Sequence, residues 1–452
     1  MSQSTVGRIR DRIEEGVPSW ADYFSRVKQD VIIQMQGTEY EDWFAEPPQV
    51  TFDGGGLPEV KRISRKLRQY IFPFIKLDRG EGVKYSKDDL LKILAAAGRW
   101  GCQPNQAADA MEIKPWNHGK DVADSSSLFY RIWPMEKKQV MEMFIVCHAA
   151  LYRLAQDYVD FGGMTEVAID ITDWPTYGDP EASSGISGTK PGRNFSHAWQ
   201  YATLSIVGDR MPMTLAAIPV QKRKNSHLAM RKLFTYANTK FDIDRVYLDS
   251  GFYKTKVRKV CDDYDVGFVM KAQEKADAID TLKDAAISLN DPYRSREWGV
   301  GEWPDEDYLW VLPSEKRASR RAGEPDHPRE DWTTFYSNID PEKFGAERLA
   351  AYYRRRWVVE TKYRVIKHRF LPQCASTEEH VRAIIVNYAV LLYNMWQVSN
   401  LIADEQGDED EDLYFEANYF LGSIVDDSKG IETASVVNLS EHSKVLNESP
   451  WF

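Results

Sequence analysis

Apolar positions change their spacing near residue 161, and that change organises the chain. Before it they recur at helical spacing in short blocks: SKDDLLKILAAAG, QPNQAADAMEI, SSSLFYRI and one longer block over 135–160. Ser86 is placed to cap the first block and Gly98 to end it. After it, short apolar runs read as strands: EVAIDIT, AWQYATLSIVGD, MPMTLAAIPV, DRVYLD and VGFVMKA. The helical stretches SHLAMRKLFTYANTK and KTKVRKVCDDYD lie among them. Strands followed by alternating strands and helices predict an α/β domain with a mixed sheet. Residues 275–335 are polar, broken by Pro and Gly, and carry the strand-like pieces YLWVLP and WTTFYSN. They read as a β-rich insertion. Two helices follow, over about 344–368 and 377–402.

The predicted division is an N-terminal segment over 1–60, a helical region over 61–160, and a core over 161–274 and 336–402. The insertion 275–335 splits that core, and 403–452 form an acidic C-terminal tail. Helix, turn and short helix within 86–133 is the spacing of a helix-turn-helix DNA-binding region, although plain helical bundles share it.

Charge changes this picture. Asp and Glu number 69 against 58 Lys and Arg, a net charge of −11 that as an average argues against extended phosphate contact. The bases, however, are concentrated at 61–68, 222–232 and 343–369, while acids gather at 404–416. Lys222, Arg223, Lys224, Arg231 and Lys232 occur without an intervening acid, a candidate DNA-backbone contact. An acidic body with a basic working face is the resulting expectation. No apolar run approaches the roughly 18–20 residues of a membrane span, and the first 30 residues are polar. Four cysteines more than 40 residues apart have no metal-site spacing. Together these predict a cytoplasmic protein, without a membrane partner.

Candidate chemistry lies at strand ends and on one helix. Asp170 and Asp249 each close an apolar run, where a carboxylate either caps a turn or holds a divalent cation beside a phosphate. Asp173 competes with Asp170, but it is expected to sit in the following turn. In AYYRRRWVVETKYRVIKHRF, Tyr353, Arg356, Glu360 and Lys367 fall within an arc of roughly 60° at about 100° per residue. A solvated face with an Arg356–Glu360 helix pair is the plain alternative. The opposite side is not cleanly apolar, since Arg355 and Lys362 share it with Val358, Val359, Val365 and Ile366.

The spacing Y-(2)-R-(3)-E-(6)-K resembles the signature of DDE transposases of the insertion-sequence-four type. VAIDIT resembles that family's first-Asp strand and VYLDSGFY its second-Asp motif, and the order Asp170, Asp249, Glu360 agrees. The 111-residue interval between Asp249 and Glu360 is where the family carries a mostly β insertion. The resemblance covers about 165–400. It implies a ribonuclease H-like core in which Asp170, Asp249 and Glu360 are catalytic and bind two Mg²⁺ ions, with Mn²⁺ able to substitute. It further implies that Tyr353, Arg356 and Lys367 hold phosphates of the transposon end. The partners are then DNA, as terminal inverted repeats and target, and a second copy in a synaptic dimer of a prokaryotic, nucleoid-associated enzyme. Trp298, Trp303, Trp310 and Trp332 are the insertion tryptophans available to stack on an extruded base.

Overall fold

The computed structural model describes residues 60–77, 84–113, 121–159, 165–177, 179–189, 195–207, 211–220, 225–237, 241–273, 277–289, 293–295, 307–314, 328–339, 345, 348–349, 353, 355–406 and 415–425. The chain forms two compact units, one from 161–212 and 218–362, the other from 1–160, 213–217 and 363–452.

A mixed sheet, nine-stranded among the described residues, supplies the first unit, except that residues 214–217 of one strand are counted with the other unit. Its strands are β1 (Thr165–Thr176), β2 (Ile186–Gly188), β3 (His197–Ile206), β4 (Thr214–Val220), β5 (Ile243–Leu248), β6 (Gly267–Lys271), β7 (Tyr293–Ser295), β8 (Tyr308–Pro313) and β9 (Trp332–Ser337). The order is β2-β3-β1-β5-β6-β9-β8-β7, with β4 also paired to β3. β1 runs antiparallel to β3 and parallel to β5, and β5 is parallel to β6. With β4 beside β3, the order β4-β3-β1-β5-β6, antiparallel between β3 and β1 and parallel from β1 through β5 to β6, is the ribonuclease H-like arrangement. The insertion strands extend this sheet, because β9 pairs antiparallel with β6 and β8 with β9. Helices α6 (Ser226–Ala237), α7 (Thr255–Asp263) and α8 (Asp277–Leu289) complete the unit. α6 packs on β3 and α7, while α7 packs on β6.

β1 is longer than its apolar run suggests. Val167, Ala168 and Ile169 are fully buried, as a central strand requires, and from Asp170 onward burial is partial or alternates. The parallel pairing with β5 ends at Ile169↔Leu248, whereas pairing with β3 continues to Thr176↔His197. Asp173 therefore lies in the strand, not in the expected turn. It is buried, and its carboxylate accepts a hydrogen bond from Gln200 Nε2 at 2.9 Å.

The second unit is helical: α1 (Val60–Ile71), α2 (Lys87–Trp100), α3 (Pro104–Glu112), α4 (Ser125–Ile132), α5 (Lys137–Ala155), α10 (Glu379–Gln406) and α11 (Ala417–Val425). α9 (Trp357–Val365) carries the chain across the boundary between the two units, and a π-helical turn, Ile366–Phe370, follows it. α10 is buried nearly all round, with Ile385, Leu391 and Met395 at 0% exposure, so it is the central helix of this unit. α5 packs on α10, and α11 packs on α1 and α2, where Ser423 donates to Ser64 at 2.7 Å. The expected tail is thus partly core: α10 runs to Gln406 and Phe420, Leu421 and Ile424 are buried, while the acidic run 407–414 lies outside the described residues. The basic stretch 61–68 is also partly packing. Arg68 is buried, Arg65 is exposed, and burial lowers the Lys66 pKa, followed by repulsion from Arg62. Among the described residues no helix is long and apolar enough to cross a membrane.

Ser86 caps α2 as expected, in a reciprocal box with Asp89. Gly98 does not end that helix; the stop is Gly101, in the left-handed conformation at φ 62°. Gly98 serves packing, because a Cβ there would lie 2.3 Å from the Phe370 carbonyl oxygen. Gly98→Ala would gain about 1 kcal/mol of helix propensity, yet the backbone clash should outweigh it by about 1–3 kcal/mol. A thermal midpoint several degrees below wild type is the expected result; a higher midpoint would show that propensity governs this position.

Candidate active site

Sheet register sets two carboxylates side by side. Ile169 and Leu248 are the last parallel partners of β1 and β5, so Asp170 and Asp249 are the next residue on each strand. This is the carboxyl end of parallel strands, where α/β sheets place their ligands. Asp249 then leaves the sheet as the cap of a short 3₁₀ turn, Ser250–Phe252, and accepts the Gly251 amide at 2.9 Å. A Cβ at Gly251 would stand 3.0 Å from the Asp249 Oδ1, so the smallest residue keeps that carboxylate in place. Asp170 accepts the amide of Ile171 at 2.8 Å.

Glu360 reaches the same cluster from α9, although the helix carrying it differs from expectation. A turn at Arg355 and Arg356 separates helical Tyr353 from α9, closed by the Arg356 amide on the Tyr353 carbonyl at 3.0 Å. Such i to i+3 bonding tightens the chain and resets the arc calculated for one continuous helix. Arg356 remains beside Glu360, donating from Nη2 to Oε1 at 2.7 Å, and its guanidinium lies 5.6 Å from the Tyr353 ring centroid. Tyr353 is buried, and its hydroxyl donates to the Leu248 carbonyl at 3.2 Å, bracing the residue before Asp249.

The electrostatics join these groups. Burial pushes the Asp170 pKa up to about 6, helped by the charges of Asp249 and Glu360 and opposed by Arg356 and the Ile171 amide. Burial works against charge on Arg356, yet Tyr353, Asp170 and Glu360 hold its pKa above the usual range. The Tyr353 phenol is raised to about 12, first by burial. Lys362 is a participant that sequence reasoning placed on the opposite side of the helix. It is 1% exposed, donates to Ser205, and lies close enough to Asp170 for that charge to partly offset its burial, which lowers its pKa to about 7. Its only sequence signal was that, with Arg355, it interrupted a helix side carrying Val358, Val359, Val365 and Ile366.

Among the described residues, no three His, Cys, Asp or Glu side chains converge tightly enough to hold a metal as they stand. The Arg356 bond accounts for Glu360: its carboxylate is half-exposed and committed to an i, i+4 pair, which is weak enough to exchange for a cation. The donor set of Asp170, Asp249 and Glu360 has oxygen only and suits a hard divalent ion such as Mg²⁺. Crowded carboxylates that raise the Asp170 pKa are an arrangement an added cation relieves.

Other sequence candidates fall elsewhere. Lys367 lies beyond the unit boundary, half-buried on the π-helical turn. Lys222, Arg223 and Lys224 lie outside the described residues, as do Trp298 and Trp303. Arg231 is exposed and pairs with Asp263, and Lys232 is exposed on α6. Trp310 and Trp332 are buried, Trp332 against Ala286 and Val311, so core packing accounts for that ring.

No protein with a curated description matches this sequence significantly. Among solved structures, the chain is similar to a piggyBac transposase synaptic complex with hairpin DNA, at 10% identity and a TM-score of 0.47, covering 86% of this chain and 80% of that one. The family profile described as the Transposase DDE domain matches residues 161–395, more than half of the chain, and the protein belongs to that family of DNA transposases.

Proposed function

We propose that this chain is the transposase of an insertion sequence of the insertion-sequence-four type, which binds the terminal inverted repeats, cleaves the ends and joins them to target DNA. The observation that carries this reading is the cluster of Asp170, Asp249 and Glu360 with Arg356, set by the register of β1 and β5 and by α9. In it the three carboxylates would hold two Mg²⁺ ions, with Mn²⁺ a substitute. Bound divalent cations supply Lewis-acid stabilisation of charge at the phosphoryl group and a more acidic attacking water or 3′-hydroxyl. Arg356 turns from Glu360 to a phosphate oxygen. Its Nε is buried without a hydrogen-bond partner, so a ligand oxygen would satisfy a donor that the protein leaves unmet. Tyr353 holds the Leu248 carbonyl, and through it the position of Asp249.

Lys367 and the 222–224 bases are assigned to the phosphates of the transposon end, and the helical unit to end recognition. Two copies pair the ends in a synaptic dimer. The test is an oligonucleotide duplex bearing the element end, incubated with the protein, Mg²⁺ and a supercoiled plasmid. Release of a 3′-hydroxyl and its covalent joining to plasmid is the expected result. Cleavage without joining, even of a pre-cut end, would replace this reading with a nuclease of the same fold.

A further inference from the structure

A basic cluster adjoins Asp249 on the side of α6 and α7. Lys254, five residues after Asp249, is the N-cap residue of α7, and its ammonium donates at 3.0 Å to the hydroxyl of Ser226, the first residue of α6. That bond ties together the starts of two packed helices and gathers their basic side chains: His227 and Arg231 on α6, Lys254 and Lys256 at α7. Lys256 and Arg231 are exposed; Lys254 and His227 are half-buried.

The placement is electrostatically costly for the free protein. Neither helix has an acidic residue in its first turn. A cation at a helix N-terminus opposes the macrodipole. Like charge adds to this: burial first, then Lys256, Lys254 and Arg231, hold the His227 pKa below its ordinary value. Arg231 has Asp263 as a partner, and Lys254 senses Asp249. A solvated charge run would spread its cations apart, whereas here a hydrogen bond gathers them. An anion lying across both helix starts offsets these costs, since amides and cations then face negative charge.

We propose that His227, Lys254 and Lys256, at the joined starts of α6 and α7, form a phosphate-contact site that takes the DNA backbone running past Asp249. The partner rests on the function proposed above; the contact itself carries no sequence information and serves to position the strand.

Binding of the full-length protein to a 30-base-pair duplex lacking the element end, without divalent metal and across a range of NaCl, tests this. For Lys254→Gln with Lys256→Gln, the slope of log K against log salt should flatten by about 1.8, at about 0.9 per phosphate contact. Glutamine at 254 removes the charge while keeping an N–H donor. If the double variant fails to fold, Lys256→Gln alone should flatten the slope by about 0.9. An unchanged slope in a folded variant overturns the site, even where end cleavage falls. A flattened slope with a wild type that neither cuts nor joins element ends would overturn the function and leave the contact standing.

Discussion

Glu360→Gln should lower Mg²⁺-dependent end cleavage by at least about 10³-fold while leaving end binding within about twofold, the size expected when transition-state charge stabilisation is lost. The substitution is nearly isosteric and keeps an oxygen facing Arg356, so the helix pair weakens without a steric change. Glu360 is half-exposed, and an exposed i, i+4 pair contributes only about 0.3–0.5 kcal/mol, so folding should barely respond. What disappears is one negative charge from a three-carboxylate cluster, the quantity that a divalent cation needs. Cleavage and gel-shift assays on the same end duplex separate the two effects. Full cleavage by this variant would sink the assignment of Glu360.

The reason these carboxylates could be found in the sequence is local. Asp170 and Asp249 each interrupt an apolar run, and a buried run tolerates a carboxylate only where neighbours or ligands meet its charge. The strand–helix alternation was equally legible, because burial on both faces of a central strand leaves a continuous apolar signature in VAID and VYLD. Three features depended on distant residues and were hidden. Gly98 looks like a helix stop, but it is required by the Phe370 backbone, 272 positions away. The final helices look like a tail, yet α11 packs beneath α1 through Ser423 and Ser64. The break at Arg355 and Arg356 has no Gly or Pro to mark it, since it is made by a tightened hydrogen bond to Tyr353.

Lys362 was hidden for the same reason, and it governs the second large expectation. A lysine 1% exposed is charged only at a cost, which the Ser205 hydroxyl and the Asp170 charge only partly offset. Its pKa of about 7 in the folded protein lies below the ordinary lysine value of 10.5, so between these limits the unfolded chain binds more protons. Stability must then rise with pH across that window, by about 1.4 kcal/mol per unit where a whole proton separates the states, and by a few kcal/mol in all. Below pH 7 the cost is complete and constant. Asp170 acts in a separate window: its raised pKa makes stability fall between pH 4 and 6, as the proton preferred by the folded state is lost. Lys362→Met should therefore be more stable than wild type at pH 7, by about 1–4 kcal/mol, and lose the alkaline rise. The Asp170 carboxylate would lose a neighbouring cation in the exchange, so end cleavage should fall as stability grows. Denaturant unfolding of both proteins from pH 6 to 10 decides the matter. A wild type whose stability is flat over that range, or a variant that keeps the rise, would mean that the Lys362 ammonium is not the group that titrates.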